Sequence, residues 1–281
     1  MATLYLVSTP IGNLADVSPR AEQTLRSVHR ILAEDTRRSR VLADHVGAKA
    51  PLVSLHAHNE RARIESVLAW LGAGEDLALV SDAGTPLVSD PGATLVEAVH
   101  EAGHTVVPIP GPSAVLAALV ASGLAMGRFL FLGFPERKGK ARQALLERVA
   151  SSTETVVLFE SPQRTVRLLE DLAKECGPER AVAVARELTK VHEELRRGTL
   201  AEVASHYRAH PPRGEVTVVV APGASGLSEA DREARLDAAR ALALELAAEG
   251  MKLSAAAKEI AARLDLSRND AYRIVHDPDE T

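Results

Sequence analysis

The sequence predicts an α/β protein in three parts. An N-terminal domain (1–112) is built on a parallel five-stranded sheet, a second α/β domain (113–222) carries a mixed sheet, and a small helical module (228–281) follows. Three observations lead there. Apolar strand-like runs alternate with helix-like segments from the first residues onward, as in a parallel sheet covered on both faces. Around Glu193–Gly198 the connections are too short for helical crossovers, so strands pair antiparallel there. Beyond Gly223-Ala224-Ser225-Gly226, which reads as a linker, only helical patterns remain.

Thr3–Ser8 is the first strand. Ser18 caps and Pro19 opens the helix Pro19–Val28, a pairing favoured at helix starts. Arg30–Glu34 is the second strand, followed by the helix Thr36–His45, which Gly47 ends. Pro51–His56 is the third strand, and Asn59 is placed to cap the helix Glu60–Leu71. Leu77–Ser81 is apolar enough to be buried on both faces; the helix Ala93–Ala102 follows and stops at Gly103. Thr105–Ile109 completes the first sheet. A helix capped by Ser113 occupies the domain boundary near Gly111–Met126 and leads to a strand at Arg128–Gly133. Strands Thr155–Glu160, Ala181–Arg186, Glu193–Gly198 and Val216–Ala221 then frame helices Lys140–Ala150, Pro162–Cys176 and Leu200–Ala209. Ser161-Pro162 repeats the cap signal, and Thr199 with Glu202 makes a capping box. In the tail, Glu229–Glu249 is an Ala-rich helix ended by Gly250. Ser254–Arg263 and Arg268–His276 flank Leu264-Asp265-Leu266-Ser267 as two short helices, fitting a packing or dimerisation module or a helix-turn-helix unit.

The chain has 281 residues, 46% apolar and 25% charged, ordinary for a soluble globular protein. A net charge of −5 excludes nucleic-acid binding by bulk charge, so any contact with a polyanion is local. The lone Cys176 has no disulfide partner, in keeping with a reducing compartment, and its place before Gly177-Pro178 is that of a helix end. No segment reaches the roughly 20 apolar residues that span a bilayer, and the N-terminus has no basic leader, which predicts a cytoplasmic protein.

The most informative stretch is Ser81-Asp82-Ala83-Gly84-Thr85-Pro86-Leu87-Val88-Ser89-Asp90-Pro91-Gly92. It leaves a buried strand and enters a helix, the place where open α/β sheets bind ligands. It has no Lys or Arg for a phosphate, but offers backbone groups, hydroxyls and carboxylates, which suits a neutral or cationic small molecule. Pro108-Ile109-Pro110-Gly111-Pro112-Ser113-Ala114 is a second such corner. The first corner, Thr9-Pro10-Ile11-Gly12-Asn13, lacks the glycines of a dinucleotide-binding turn, although Glu34-Asp35 stands where such a fold holds a ribose. Arg37, Arg38 and Arg40 crowd a helix start, where each cation opposes the dipole by roughly 0.3–1 kcal/mol. They answer either to Glu34 and Asp35 or to a phosphodiester. His56 and His58 have no further ligand at metal spacing, so no metal is expected. Gly133–Arg142 is a basic loop with Phe134 at its start, placed to meet phosphates and stack on a base.

Together SDAGTPLVSDPG, IPGPSA, AEDTR, GFPERKG, FESPQR and RELTKVHEE resemble the ribosomal RNA small subunit methyltransferase I family, in the tetrapyrrole methylase-like group. The likeness runs from about Thr3 to Ala221 and returns at Ser267–Asp277. It implies a homodimer that uses S-adenosylmethionine (AdoMet), bound between two α/β domains. The acceptor it implies is the ribose 2'-hydroxyl of a decoding-centre cytidine in 16S rRNA, met either as free rRNA or within the 30S subunit. By the same resemblance the cofactor residues are Pro10, Ser81, Asp82, Ala83, Gly84, Thr85, Ser113 and Ala114, with Phe159 and Thr217. Asp82 and Asp90 are expected to hold polar groups of the cofactor or brace loops, since a carboxylate against the sulfonium favours the ground state. A ribose hydroxyl needs a proton acceptor or an oxyanion stabiliser. Lys190 is the first candidate, with Glu34 or Glu187 as base. The other readings of Lys190 are a phosphate contact or a pair with Glu193 or Glu194. Arg37, Arg38, Lys138, Lys140 and Arg186 are the expected RNA contacts. The alternatives are a tetrapyrrole methyltransferase, with the same cofactor site and another acceptor, and a helix-turn-helix DNA-binding regulator.

Overall fold

The computed structural model describes residues 2–124, 127–223, 229–248, 251–264 and 268–276. The linker residues after Gly223, Gly250, the turn at Asp265–Ser267, Asp277 and the boundary residue Met126 lie outside them. The chain forms two compact units, Met1–Gly223 and Ala224–Thr281.

The first unit holds two sheets. One comprises β1 (Thr3–Val7), β2 (Arg30–Ala33), β3 (Leu52–Ser54), β4 (Leu77–Val80) and β5 (Thr105–Ile109), in the order β3-β2-β4-β1-β5. All its pairs are parallel. Side chains alternate between faces along a strand. On β4, Ala78 and Val80 therefore enter a core with Ala21 and Leu25 of α1 (Pro19–Ser27) and Leu42 of α2 (Thr36–Val46). Leu77 and Leu79 enter the opposite core, with Val67 and Leu71 of α3 (Glu60–Gly72) and Leu95 of α4 (Ala93–Glu101). Burial on both faces is why β4 reads as an unbroken apolar run.

The other sheet takes β6 (Phe129–Phe131), β7 (Thr155–Glu160), β8 (Ala181–Arg186), β9 (Glu194–Thr199) and β10 (Val216–Val220), in the order β6-β7-β10-β8-β9. Only β6 and β7 are parallel; the remaining pairs are antiparallel, so the sheet is mixed. Its strands come entirely from residues after 113, and those of the other sheet from before it. One face packs α6 (Lys140–Ser151), α7 (Pro162–Cys176) and α8 (Leu200–Ala209) around Val156, Leu158, Val184 and Val218. The other face packs α5 (Ala114–Ser122) through Val115, Ala118 and Leu119. The second unit contains α9 (Glu229–Ala248), α10 (Leu253–Leu264) and α11 (Arg268–His276), joined by a core that includes Ala239, Leu246, Ile260 and Ile274. No helix among the described residues is long and apolar enough to cross a membrane.

Local signals hold where the side chain has no better partner. Ser18, Asp35 and Ser113 cap their helices, and Thr199 with Glu202 closes the capping box. Two expected caps do not form. Asn59 turns back to accept from the His56 N–H and donate to the Ser54 carbonyl, closing the loop before α3. Ser161 accepts a hydrogen bond from Arg164 Nε and makes none with the helix N–H groups.

Candidate active site

Adjacent strands β4, β1 and β5 bring three sequence-distant corners to one edge of the parallel sheet. Thr9 and Gly84 exchange backbone hydrogen bonds of 2.8 and 3.0 Å, joining the corners after β1 and β4. Ser8 Oγ donates to Thr85 Oγ1 at 3.2 Å, and Thr85 Oγ1 donates to the Pro112 carbonyl at 3.3 Å, which ties in the corner after β5. Leu87 and Ser89 sit at φ of 70° and 69°. Non-glycine residues there carry about 1–3 kcal/mol of strain each and persist only where their surroundings hold them. Here they turn Val88, Ser89 and Asp90 to line a cleft of about 440 Å3.

The mixed sheet supplies the facing wall. Antiparallel pairing sets Val216 beside Glu160 and Thr217 beside Phe159, so the end of β7 and the start of β10 lie together. Phe159 packs edge-on to Phe131 and against Phe134 at 5.4 Å between ring centres. Ile11, Val115 and Val216 add apolar surface. An apolar cleft of this size with a few convergent polar groups has the character of a small-molecule site, whose volumes run to about 300–1,000 Å3.

Those polar groups are carboxylates and hydroxyls, with Arg38 the one basic side chain among the described lining residues. Asp82 accepts from the Asp35 N–H at 3.1 Å and from Arg38 at 2.9 Å, so it braces the corner and holds an arginine. Burial raises the Glu34 pKa, and the charge of Asp82 adds to the effect. Burial likewise pushes Asp90 up to about 6, with the neighbouring charge of Glu34 adding and the Ser81 hydroxyl opposing. Asp90 therefore binds a proton in the folded state at pH values where the unfolded chain has released it. Its contribution to stability is full below about 4 and is lost as pH rises through about 6. An Asp90→Asn variant is expected to be the more stable by about 1–3 kcal/mol at pH 7.5, with the difference closing near pH 4. Thermal melts across that range check it; a gap independent of pH would reject the assignment.

A second cluster stands at the rim. Lys190 Nζ donates to Glu187 Oε1 at 2.8 Å and to Glu215 Oε2 at 3.1 Å. Partial burial alone would lower the Lys190 pKa, but the two carboxylates outweigh it and the net shift is upward. The same bond from Lys190 pulls the Glu187 pKa down. The expected partners Glu193 and Glu194 are engaged elsewhere: Glu193 accepts from the Thr189 N–H, and Glu194 from Arg186 and Tyr207. The loop is tightly wound, with Glu187 and Thr189 at φ of 51° and 65°. Two glycines make room for it. A Cβ on Gly12 would fall on Lys190 Cγ and within 3.0 Å of the Leu188 carbonyl, and one on Gly214, at φ +77°, would strike the Glu187 carboxylate.

Of the expected site residues, Glu34, Arg38, Asp82, Ala83, Gly84 and Thr85 line the cleft, as do Asp90, Ser113, Ala114, Phe159 and Thr217. Pro10 and Ser81 are not among the lining residues, and the Ser81 hydroxyl is turned to the Gly84 carbonyl. Lys190 and Glu187 reach it through Glu215. Arg37 is exposed and paired with Asp35, while Arg186 is tied to Glu194 by two bonds. Lys138 and Lys140 flank Gly139 at the start of α6, where Lys138 borders a separate groove containing the Arg142–Asp171 pair. Glu160, Ser161 and Glu215 were not anticipated. The first two fall within the FESPQR motif, whereas Glu215 has no local signal.

The family model described as Tetrapyrrole (Corrin/Porphyrin) Methylases matches residues 3–204. The ribosomal RNA small subunit methyltransferase I of Synechocystis sp. is 44% identical over 275 residues, covering 98% of this chain and 97% of the relative. The chain belongs to the ribosomal RNA small subunit methyltransferase I family. A family member from Mesorhizobium japonicum is 46% identical over 271 residues, covering 96% of this chain and 90% of its own. The member from Thermotoga maritima is 45% identical over 220 residues, which cover 78% of this chain and 98% of that one. Among solved structures, a cobalt precorrin-4 methyltransferase of cobalamin biosynthesis aligns with a TM-score of 0.63 at 17% identity, covering 78% of this chain and 94% of that one. A uroporphyrin-III-C-methyltransferase from Thermus thermophilus aligns at 0.57 and 21%, with coverage of 78% and 94%. At these identities the family shares its fold with them.

Proposed function

We propose that the chain transfers a methyl group from AdoMet to the ribose 2'-hydroxyl of a decoding-centre cytidine in 16S rRNA, acting on the 30S subunit in the cytoplasm. The observation that carries this reading is the single cleft on which the corners after β1, β4, β5 and β7 converge, acidic and apolar inside and bordered by Arg38 and Lys190. The names of the relatives supply the acceptor class.

The residues fit the cofactor. Glu34 and Asp90 offer carboxylates to polar groups of the ligand away from its sulfur, Phe159, Ile11 and Val115 offer apolar surface, and Ser113 and Ala114 begin a helix. Bound AdoMet supplies an electrophilic methyl group on a cationic sulfur. Asp82 is committed to Asp35 and Arg38, in keeping with a bracing role. Of the two candidate bases, Glu34 is raised by burial and Glu187 is lowered by Lys190, so Glu34 is the better proton acceptor. Lys190, held as an ammonium, steadies negative charge developing on the ribose oxygen.

Arg37, Lys138 and Lys140 present exposed cations to the RNA; Arg38 contributes while braced by Asp82, and Arg186 contributes once Glu194 yields. The homodimer is supported by the apolar outer face of α5, where Leu116 and Val120 stand in solvent, Val120 with 73% of its surface exposed.

Radiolabelled AdoMet, the purified protein and 30S subunits from cells lacking this modification form the test. Label is expected in 16S rRNA at a ribose. Label only in a porphyrinoid, or none in rRNA alongside tight binding to a DNA operator, would overturn the reading.

A further inference from the structure

Each cation at the rim has an inner and an outer carboxylate. Arg38 donates to Asp82 at 2.9 Å and stands 4.0 Å from Glu215 Oε1. Lys190 donates to Glu187 at 2.8 Å and to Glu215 Oε2 at 3.1 Å. One carboxylate is thus shared, with an oxygen toward each cation, by residues rooted in different parts of the fold: Arg38 on α2 beside the parallel sheet, Lys190 in the loop after β8 of the mixed sheet. The inner partners are held firmly. Asp82 and Glu187 have side chains only 21% and 20% exposed, and each also accepts a backbone N–H, from Asp35 and Glu215 respectively. Glu215 is different: its side chain is 59% exposed, and its hydrogen bonds and ion pairs among the described residues go to these two cations.

We propose that the Glu215 carboxylate holds the place of a phosphodiester of the RNA substrate, and that an incoming phosphate displaces it from Arg38 and Lys190. The inference rests on the rRNA reading above and adds to it a phosphate seat at the mouth of the cleft. A phosphodiester has two free oxygens and the charge of a carboxylate, and it is the group that Arg and Lys recognise most readily. Exchange is easy because an exposed ion pair is weak and its carboxylate returns to water. Once Glu215 swings out, both cations stay oriented, Arg38 by Asp82 and Lys190 by Glu187. The internal carboxylate also satisfies the two cations in the free protein and competes with unselective anions.

Glu215→Gln keeps the shape and removes the charge. For this variant the KM for 30S subunits should fall about threefold or more. Its affinity for a fluorescein-labelled RNA oligonucleotide, measured by anisotropy, should rise by a similar factor, with the salt slope steepening by about 0.7. Glu97→Gln on α4, an exposed residue outside the cleft, makes the same change in net charge and should move affinity much less. Equal gains in both variants would reduce the effect to bulk charge and overturn the proposal. So would an unchanged or weaker affinity, or a fall in kcat at constant KM, which would make Glu215 a positioning residue for Lys190. If the parent protein failed to label rRNA, the functional reading would fail, and the anisotropy result would still decide the phosphate seat.

Discussion

Replacing Lys190 with alanine is expected to lower kcat on 30S subunits by about 10²–10³-fold, the loss typical when one preorganised donor to a developing oxyanion is removed. The reason is geometric before it is electrostatic. Gly12 lets the Lys190 loop lie against the corner after β1, and Glu187 fixes the ammonium at 2.8 Å. The folded protein should hardly notice the change, because a partly exposed pair contributes about 0–1 kcal/mol. Cofactor affinity should stay within about twofold of the parent protein. Turnover, thermal melting and AdoMet binding measured on one preparation separate these quantities. Parental turnover at saturating 30S concentration would reject the role given to Lys190.

The largest effect on stability is expected from Arg164→Ala. Glu160 closes β7 with a side chain that is 0% exposed, and Arg164 on α7 pairs with it at 2.5 Å. Glu160 Oε1 also accepts the Ser161 N–H at 2.7 Å, while Oε2 has no hydrogen-bond partner among the described residues. Removing the guanidinium leaves a buried carboxylate with its charge uncompensated. Such breaks destabilise by about 3–5 kcal/mol, and the partial exposure of Arg164 places this one near the lower end. For a unit of this size that is a fall in Tm of about 6–12 °C. The double variant Glu160→Gln with Arg164→Ala should recover much of the loss, since the charge leaves with its partner. A double variant as unstable as the sum of the singles would show that Arg164 acts through packing.

These two residues differ in how far they can be read from the chain. The strands were legible because β4 and β10 are short apolar runs between turn residues, and β9 because a short connection from β8 leaves no room for a crossover. The corners that line the cleft were legible because small residues, prolines and, after β5, a capping serine concentrate at the ends of β4 and β5. Lys190 stood out as part of a motif that also holds Glu187, but its other partner did not, because Glu215 meets it only when β10 pairs with β8. The same holds for Arg38 and Asp82, 44 residues apart and joined only when β2 and β4 pair. Caps failed where the expected side chain was drawn to a tertiary or loop partner, as Ser161 was by Arg164. Local chemistry names the groups in the cleft; the register of the strands decides which carboxylate meets which cation.

The outer strands of both sheets have a consequence for how copies of this protein meet. β3 and β6 are three residues long, β5 carries Pro108, and β9 carries the adjacent arginines Arg196 and Arg197. Short length, a missing N–H and positive charge on both faces each make a poor template for another strand. Extension of either sheet from one molecule into the next is therefore disfavoured at all four borders. Even at the high local concentrations met during synthesis, self-association is steered away from fibre-like stacking and toward contacts made by helices.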